Sequence, residues 1–194
     1  MSYDAGTGRF FAAVVLLSWP GLEVREIARA RGSFGFPYVP GLLSFRELPP
    51  LLRAFRRLAG IPDLILCDGQ GLAHPRFLGL ACHLGLFLRI PTVGCAKSIL
   101  VGRYPKICLQ RGARAPLTYQ GRHVGTALRT RESVREMIVS PGHLISVEQS
   151  AEWAMQCTRR FRIPGPTRLA DREVSRMRRD ALSGNKRGAS KLLC

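Results

Sequence analysis

A carboxylate followed by two glycines, placed directly after an apolar run, is the part of this sequence best suited to chemistry. Residues 64–67 are apolar, Asp68 follows them, and Gly69 and Gly71 permit a tight turn in which the backbone can approach a ligand closely. Pro75 then suits the first position of a helix. The pattern predicts a buried strand that delivers a charged group to the carboxyl edge of a sheet, where α/β proteins bind ligands.

Lys97 ends a second apolar segment of the same kind. Residues 91–97 predict another short buried strand that finishes on a charge, and residues 76–88 between the two strands predict a helix that is apolar almost all round. Two parallel strands joined by one helix form a right-handed unit whose carboxyl ends lie at the same edge. We therefore expect the amine of Lys97 to lie close to the carboxylate of Asp68.

Two other interpretations of this segment remain open from the residues alone. Asp68 could cap the turn between strand and helix by accepting hydrogen bonds from backbone amides. Gly69 and Gly71 also match the beginning of a dinucleotide-binding fingerprint, but His74 occupies the position of its third glycine. The second interpretation is therefore disfavoured, whereas the first is compatible with every residue of the segment.

A helix that carries a further carboxylate is predicted upstream. Residues 44–59 place apolar side chains on one stripe and arginines on the opposite face, as expected for a helix that packs on a core. Ser44 and Glu47 match a capping box, which offers Glu47 a purely structural role. Pro49 and Pro50 are assigned to the first helical turn, where a missing amide proton costs little.

The remaining chain predicts alternating strands and helices in a single domain. Its first feature is a hairpin of two long strands, and its last helix carries Asp171. His83 is expected to be a satisfied core histidine and not a ligand. The predicted segments are strands at residues 10–17, 22–30, 123–128 and 137–139, a helix from Ser146 to about residue 160, one domain over residues 1–182, and a basic disordered tail over residues 183–194.

A loop rich in proline and glycine holds an aromatic residue that could contact a ligand. Residues 32–41 contain two prolines and three glycines, which prevent regular structure around Tyr38. Either this aromatic side chain packs on the core, or the stiff loop presents it for stacking on a nucleobase. Stacking of this kind is worth about 1–3 kcal/mol per base.

The charge balance favours a polyanionic partner. Thirty Lys and Arg residues against thirteen Asp and Glu residues give a formal net charge of +17. Each phosphate that such a protein neutralises releases condensed counterions, which favours binding. Because the basic residues are spread along the whole chain and do not form one amphipathic helix, nucleic acid is the expected partner and a membrane surface is not.

The cysteines indicate reduced thiols. None of the six forms a C-x-x-C pair or a zinc-finger spacing, and several lie within apolar runs, where cysteine behaves as a small hydrophobic residue. No apolar stretch has the length of a membrane span, and the amino terminus does not resemble a secretory signal. We therefore expect a cytoplasmic protein, and nothing in the sequence demands more than a monomer.

Several ordered segments resemble the endonuclease V family. The resemblance extends from residue 2 to residue 171 and rests on residues 37–47, 68–76, 94–98, 140–143 and 166–171. It implies a ribonuclease H-like α/β fold with a mixed sheet flanked by helices. It also implies a Mg²⁺-dependent endonuclease that repairs deaminated adenine, cutting the second phosphodiester bond on the 3′ side of deoxyinosine in DNA or of inosine in RNA.

The same resemblance assigns roles to the charged residues. Glu47 and Asp68 match the metal-binding carboxylates of the family, and Asp171 matches a further active-site position. Carboxylates around Mg²⁺ suit phosphodiester hydrolysis, because the metal activates water and stabilises the leaving oxygen. Lys97 and His74 match other active-site positions, where a cation beside the scissile phosphate would offset developing charge.

Contacts to nucleic acid are implied as well. Tyr38 matches a wedge residue that fills the gap left by an extruded base, and backbone and apolar groups nearby would surround that base. The other residues implied to bind nucleic acid are Pro37, Gly41, Leu43, Arg46, Gly71, Arg76 and Leu100.

One position departs from the family pattern. The family carries another catalytic aspartate two residues before the pair that corresponds to Ser2 and Tyr3, and that position precedes Met1, so truncation relative to the family is expected. Asp4 would lie roughly 13 Å further along the strand at about 3.3 Å per residue, too far to replace it. The resemblance therefore leaves open an inosine-directed endonuclease and an impaired protein that binds deaminated nucleic acid without cutting. A ribonuclease H-like nuclease with another substrate is disfavoured by the Tyr38 loop.

Overall fold

The computed structural model describes residues 1–4, 7–33 and 43–189, with the side chains of residue 43 and of residues 184–189 outside the description. Strands and helices alternate along most of the chain. In order, they are β1 (Ser2–Tyr3), β2 (Arg9–Leu17), β3 (Val24–Ser33), α1 (Leu43–Phe55), β4 (Ile65–Cys67), α2 (Leu80–Leu88), β5 (Thr92–Ala96), β6 (Arg114–Tyr119), β7 (Arg122–Leu128), β8 (Met137–His143), α3 (Val147–Gln156) and α4 (Gly165–Ala189).

The predicted hairpin is confirmed as β2 and β3, which form with β1 a three-stranded antiparallel sheet in the order β1-β2-β3. Its register runs from Arg9 opposite Ser33 to Leu17 opposite Val24. One face of β2 packs against α1 through Phe10, and the other packs against α4 through Phe11. Because both faces are covered, β2 is a continuous apolar run without the alternation of a half-exposed strand.

A five-stranded mixed sheet in the order β4-β5-β8-β7-β6 contains the predicted parallel pair. Ile65 lies opposite Thr92 and Cys67 opposite Gly94, so β4 and β5 end at the same edge. The other neighbours in this sheet are antiparallel. The expected α/β architecture, a mixed sheet flanked by helices, is thereby confirmed, with the strand pairing of the described residues divided between two sheets.

Helix α1 differs from its prediction at both ends. It stops at Phe55, four residues early, and begins at residue 43, so that Ser44 lies inside it. The Ser44 hydroxyl lies 2.8 Å from Nδ1 of His83, which makes it a buried contact between α1 and α2 and not a helix cap. Pro49 and Pro50 consequently fall in the second turn, where they remove two amide donors. Burial of Leu48 on the core stabilises the helix despite this loss.

Helix α2 begins at Leu80 and not at residue 76, and Pro75 is not its first residue. The chain between Asp68 and α2 instead makes consecutive turns, in which the amide of Phe77 donates to the carbonyl of His74. Phe77 has a left-handed φ of 53°, which no helical residue adopts. Because of these turns, the helix begins four residues later than the periodicity of the sequence predicts.

The interpretation of His83 as a satisfied core histidine is confirmed by its hydrogen bond to Ser44.

Other elements also differ from their predicted bounds, and β3 runs over Val24–Ser33 and not over residues 22–30. Strand β6 was not predicted, because residues 101–122 are rich in glycine and basic residues and were expected to form loops. It contains Pro116 and forms the edge of the sheet, where proline is tolerated. Strand β8 continues past residue 139 to His143, and α3 ends at Gln156. Helix α4 extends to Ala189, so residues 183–189 of the tail that was predicted to be disordered over residues 183–194 are helical. The cap of α3 is confirmed, because Ser146 and Gln149 exchange hydrogen bonds of 3.1 Å.

Within the parts of the chain that the structure describes, no helix combines the length and the apolar character needed to cross a bilayer.

Candidate active site

The ion pair predicted from the parallel strands is present. Lys97 Nζ lies 2.8 Å from Asp68 Oδ2, at the edge where β4 and β5 both end. Burial works to lower the pKa of Lys97, but the hydrogen bond to Asp68 and the negative charges of Asp68 and Asp171 outweigh it and raise that pKa. Lys97 is therefore a protonated ammonium group at neutral pH, and Asp68 is its counterion.

Helix α1 brings Glu47 to the same edge. Burial raises the pKa of the Glu47 carboxyl, and the negative charge of Asp68 raises it further. The amino terminus of Met1 and the guanidinium of Arg46 act in the opposite direction without cancelling these effects. Two carboxylates are thus held close enough to repel each other, and a cation placed between them would relieve that repulsion.

Asp171 reaches the same region from α4. A cavity of about 700 Å³ is lined by Glu47, Asp68 and Asp171 together. The negative charge of Asp171 also acts on Lys97. Four of the five residues predicted to be catalytic therefore surround one site, although they come from four separate elements of the chain.

His74, the fifth predicted catalytic residue, lies in the turns between Asp68 and α2. Burial lowers its pKa, and the positive charge of Arg76 lowers it further, so the imidazole is neutral at pH 7. Nδ1 lies 3.3 Å from the amide of Arg76 and accepts its hydrogen bond. The proton of the neutral ring consequently resides on Nε2, which can act as a hydrogen-bond donor.

The glycine turn after Asp68 is held by backbone packing. The amide of Gly71 donates to Ser140 Oγ at 2.8 Å. A Cβ atom on Gly71 would lie 2.1 Å from the carbonyl oxygen of Pro141, and one on Gly94 would lie 2.4 Å from the amide nitrogen of Gly71. Only glycine fits at either position. The role of Ser140 was missed from the sequence, where it belongs to a motif without any sign of its partner.

Arg162 is a second residue that sequence reasoning missed. Its Nη2 donates to the carbonyl of Lys97 at 2.6 Å and to the carbonyl of Glu136 at 2.8 Å. The side chain thereby ties the segment before α4 to the end of β5 and the start of β8. No spacing signal distinguishes Arg162 from the neighbouring arginines, because its partners are backbone atoms distant in the chain.

The residues predicted to contact nucleic acid are only partly described. Pro37, Tyr38 and Gly41 lie outside the described residues, as does the side chain of Leu43. Arg46 is buried, with its guanidinium 3.9 Å from the ring centre of Tyr3, so it packs inside the protein. Gly71 lies in the buried turn described above. Arg76 and Leu100 are exposed and accessible to a ligand.

The donor chemistry of Glu47 and Asp68 fits a divalent cation such as Mg²⁺, which prefers carboxylate oxygen. Burial is the main cause of the raised pKa of Glu47 and the negative charge of Asp68 adds to it, and a bound cation would neutralise that added repulsion. Among the described residues, no three His, Cys, Asp or Glu side chains are grouped closely enough to hold a metal ion. Glu47 and Asp68, which line the same cavity, would each offer carboxylate oxygen to such an ion.

Comparison with known proteins gives one consistent result. The family model of Endonuclease V matches residues 1–172. Endonuclease V of Azotobacter vinelandii is 48% identical over 176 residues, which cover 91% of this chain and 80% of that protein. The crystal structure of the Endonuclease V from Streptomyces avermitilis is similar with a TM-score of 0.89 at 41% identity, covering 93% of this chain and 79% of that one.

A more distant structure shows the same fold. Ciona intestinalis Endonuclease V, crystallised with a 24mer DNA that contains an inosine followed by a ribo-adenosine, has a TM-score of 0.74 at 23% identity. The match covers 89% of this chain and 85% of that one. The ribonuclease H-like α/β fold implied by the sequence motifs is thereby confirmed.

Proposed function

Because the chain belongs to the endonuclease V family of nucleases, we propose that it is a Mg²⁺-dependent endonuclease directed at deoxyinosine in DNA or inosine in RNA. The cut would fall at the second phosphodiester bond on the 3′ side of the modified nucleoside. Such an enzyme would repair deaminated adenine, and we place it in the cytoplasm as a monomer. The Ciona structure with inosine-containing DNA supports the substrate class.

The observation that carries this proposal is the meeting of Lys97 and Asp68 beside Glu47 and Asp171. Glu47 and Asp68 are the residues that would hold Mg²⁺, whose bound form activates water and stabilises a leaving oxygen. Lys97, kept protonated by its environment, would place a positive charge beside the phosphate. These groups supply both the negative charge that retains a metal and the positive charge that offsets a phosphate.

The remaining roles follow from position and protonation. Neutral His74 would donate a hydrogen bond from Nε2 to an oxygen of the substrate. Asp171 would balance the charge of Lys97 and orient its amine. Tyr38, in a loop stiffened by Pro37, would fill the space of an extruded base. Arg76 and Leu100 are exposed where a nucleic-acid strand could reach them.

The test is the nicking of a duplex with one deoxyinosine, compared with the same duplex carrying adenine, and of an inosine-containing RNA. We expect Asp68→Asn to lower the Mg²⁺-dependent rate by at least about 100-fold, because it weakens the metal ligand and releases Lys97. Asp180→Asn is the matched control, since it changes an exposed aspartate on the same protein. Equal rates for Asp68→Asn and Asp180→Asn would overturn the assignment.

The alternative of binding without cleavage makes a different prediction in the same experiment. Fluorescence anisotropy would then show preference for inosine over adenine, while no form of the protein nicks any strand in Mg²⁺. Selective binding with nicking that depends on Asp68 supports the enzyme.

A further inference from the structure

Two aromatic rings and an arginine meet beside the candidate active site. The ring centres of Phe77 and Tyr119 are 5.5 Å apart, and their planes are tilted by 45°. The guanidinium carbon of Arg122 lies over the Phe77 ring, 4.9 Å from its centre. Phe77 and Tyr119 are half-buried, whereas Arg122 is exposed, so a ligand can reach the group from the side of Arg122. We call these three residues the aromatic platform.

The aromatic platform adjoins residues that the proposed function uses. The amide of Phe77 donates to the carbonyl of His74 at 2.8 Å, so a single turn separates these two residues. Both aromatic rings pack on an apolar cluster that includes Ala73 and Ala96. These two alanines directly precede His74 and Lys97 in the chain. A nucleic-acid strand that passes His74 therefore has the aromatic platform within reach of its next nucleotides.

The charge around the aromatic platform favours a polyanion. Residues 69–131, which include all three of its members, contain ten Lys and Arg residues and no Asp or Glu. Among the described residues, no carboxylate forms an ion pair with Arg122. Glu136 approaches the same apolar cluster through its bond to Tyr104, but Arg129 lies 3.2 Å from its other oxygen and offsets its charge. The positive charge of Arg122 is therefore available to attract a phosphate backbone.

The backbone holds the Phe77 ring in place at a conformational cost. Its φ of 53° lies in the left-handed region, which glycine and asparagine adopt far more readily than phenylalanine. In this conformation the ring contacts both Tyr119 and Arg122. Strained residues of this kind cluster at sites that bind ligands. The strain at Phe77 therefore supports a binding role for the group that its ring holds together.

The flat groups of the aromatic platform determine which part of a nucleic acid it fits. Unpaired bases stack on aromatic rings and on the plane of an arginine side chain, while basic groups follow the phosphates. A base inside a duplex is already stacked on both sides, so it has no free face to offer. The chemistry of the group therefore matches an unpaired base.

We propose that the aromatic platform binds one unpaired nucleobase of a strand that continues beyond the candidate active site. The base would stack against Tyr119 and the guanidinium of Arg122, which Phe77 supports from beneath. Arg76, exposed next to Phe77 in the chain, would neutralise a neighbouring phosphate. This inference rests on the proposed function only in taking nucleic acid as the partner.

The test compares two strands of about 20 nucleotides and equal charge, one made of thymidines and the other of abasic nucleotides. Fluorescence anisotropy measures their binding without metal. Tyr119→Leu keeps an apolar side chain and Arg122→Lys keeps a positive charge, but each removes a flat stacking surface. We expect either variant to weaken binding of the thymidine strand by at least about 5-fold and to leave binding of the abasic strand unchanged.

Arg178→Ala is the control for charge alone, because it removes an exposed arginine on α4 and should weaken both strands equally. Wild-type affinity of Tyr119→Leu and Arg122→Lys for the thymidine strand would overturn the proposal, as would equal losses on the two strands. Nicking of inosine-containing strands is measured separately. A loss confined to the thymidine strand therefore supports the aromatic platform even if the chain nicks no strand, and nicking without such a loss refutes the platform alone.

Discussion

Asp68 determines the charge balance of the candidate site, because it interacts with a basic residue and an acidic one. It forms an ion pair with Lys97, and its negative charge repels that of Glu47. The hydrogen bond keeps Lys97 protonated, while burial and repulsion raise the pKa of Glu47. In the proposed nuclease mechanism, the carboxylates of Glu47 and Asp68 would hold a metal cation, and the ammonium group of Lys97 would offset the charge of the phosphate.

Glu136 offers a residue-scale prediction about pH. Tyr104 Oη donates to Glu136 Oε1 at 2.6 Å, and Arg129 Nη2 lies 3.2 Å from Oε2. The bond from Tyr104 lowers the pKa of Glu136 below its ordinary 4.5, burial opposes this, and the charges of Arg129 and Arg135 assist it. A lowered folded-state pKa contributes stability that is present above pH 4.5 and lost as the pH falls through the folded-state value.

We therefore expect Glu136→Gln to lower the free energy of unfolding by about 1–3 kcal/mol at pH 7, and to have a smaller effect as the pH falls below 4.5. Urea unfolding at pH 7 and at pH 3 measures the difference. Glu132→Gln is the matched control at an exposed position and should change the free energy by less than about 0.5 kcal/mol. A deficit of the same size at both pH values would contradict the assignment.

Backbone packing between elements decides the position of Asp68. The turn that follows β4 lies against β5 and β8, with Gly94 under it and Ser140 bonded to its amide. The position of the Asp68 carboxylate is therefore fixed by β5 and β8 as well as by β4. This arrangement explains why only glycine fits at positions 71 and 94, although neither residue carries a functional side chain.

Substitution of Gly94 tests that packing. A Cβ atom there would lie 2.4 Å from the amide nitrogen of Gly71 and 2.7 Å from the carbonyl oxygen of Gly69, so backbone must move. We expect Gly94→Ala to lower the free energy of unfolding by about 1–3 kcal/mol. Gly69→Ala in the same turn meets only the side chain of Leu80 at 3.6 Å, an ordinary contact, and should cost less. Equal losses in thermal or urea unfolding would show that the turn is free to relax.

The net charge of the whole molecule governs its encounter with nucleic acid. A formal charge of +17 favours several simultaneous phosphate contacts, and each contact releases counterions. For six or more contacts, we expect affinity for any duplex to fall by about 1000-fold or more between 50 and 200 mM salt. Anisotropy titrations with deoxyinosine and adenine duplexes would measure both slopes. We expect the logarithm of the affinity to fall steeply, and with a similar slope, against the logarithm of the salt concentration for both duplexes. A slope near zero would show that binding does not depend on phosphate contacts.

Features that depend on local periodicity were accessible from the sequence. The hairpin, the capped start of α3 and the parallel pair β4-β5 all follow from neighbouring residues, and they were enough to place Lys97 beside Asp68. This inference succeeds because two parallel strands joined by one helix have a single favoured handedness. The family was also identified from the sequence, by five short motifs that occur in order between residues 37 and 171.

Contacts between distant residues were decided by the tertiary structure alone. Ser44 bonds to His83 and does not cap α1, Ser140 holds an amide 69 residues away, and Arg162 binds the carbonyl of Lys97 65 residues away. The late start of α2, with Phe77 in a left-handed conformation, belongs to the same class. The side-chain periods of helices and strands repeat within a few residues, so a short stretch of sequence is enough to reveal them. The hydrogen-bond partners of Ser44, Ser140 and Arg162 meet only after packing has brought separate elements together.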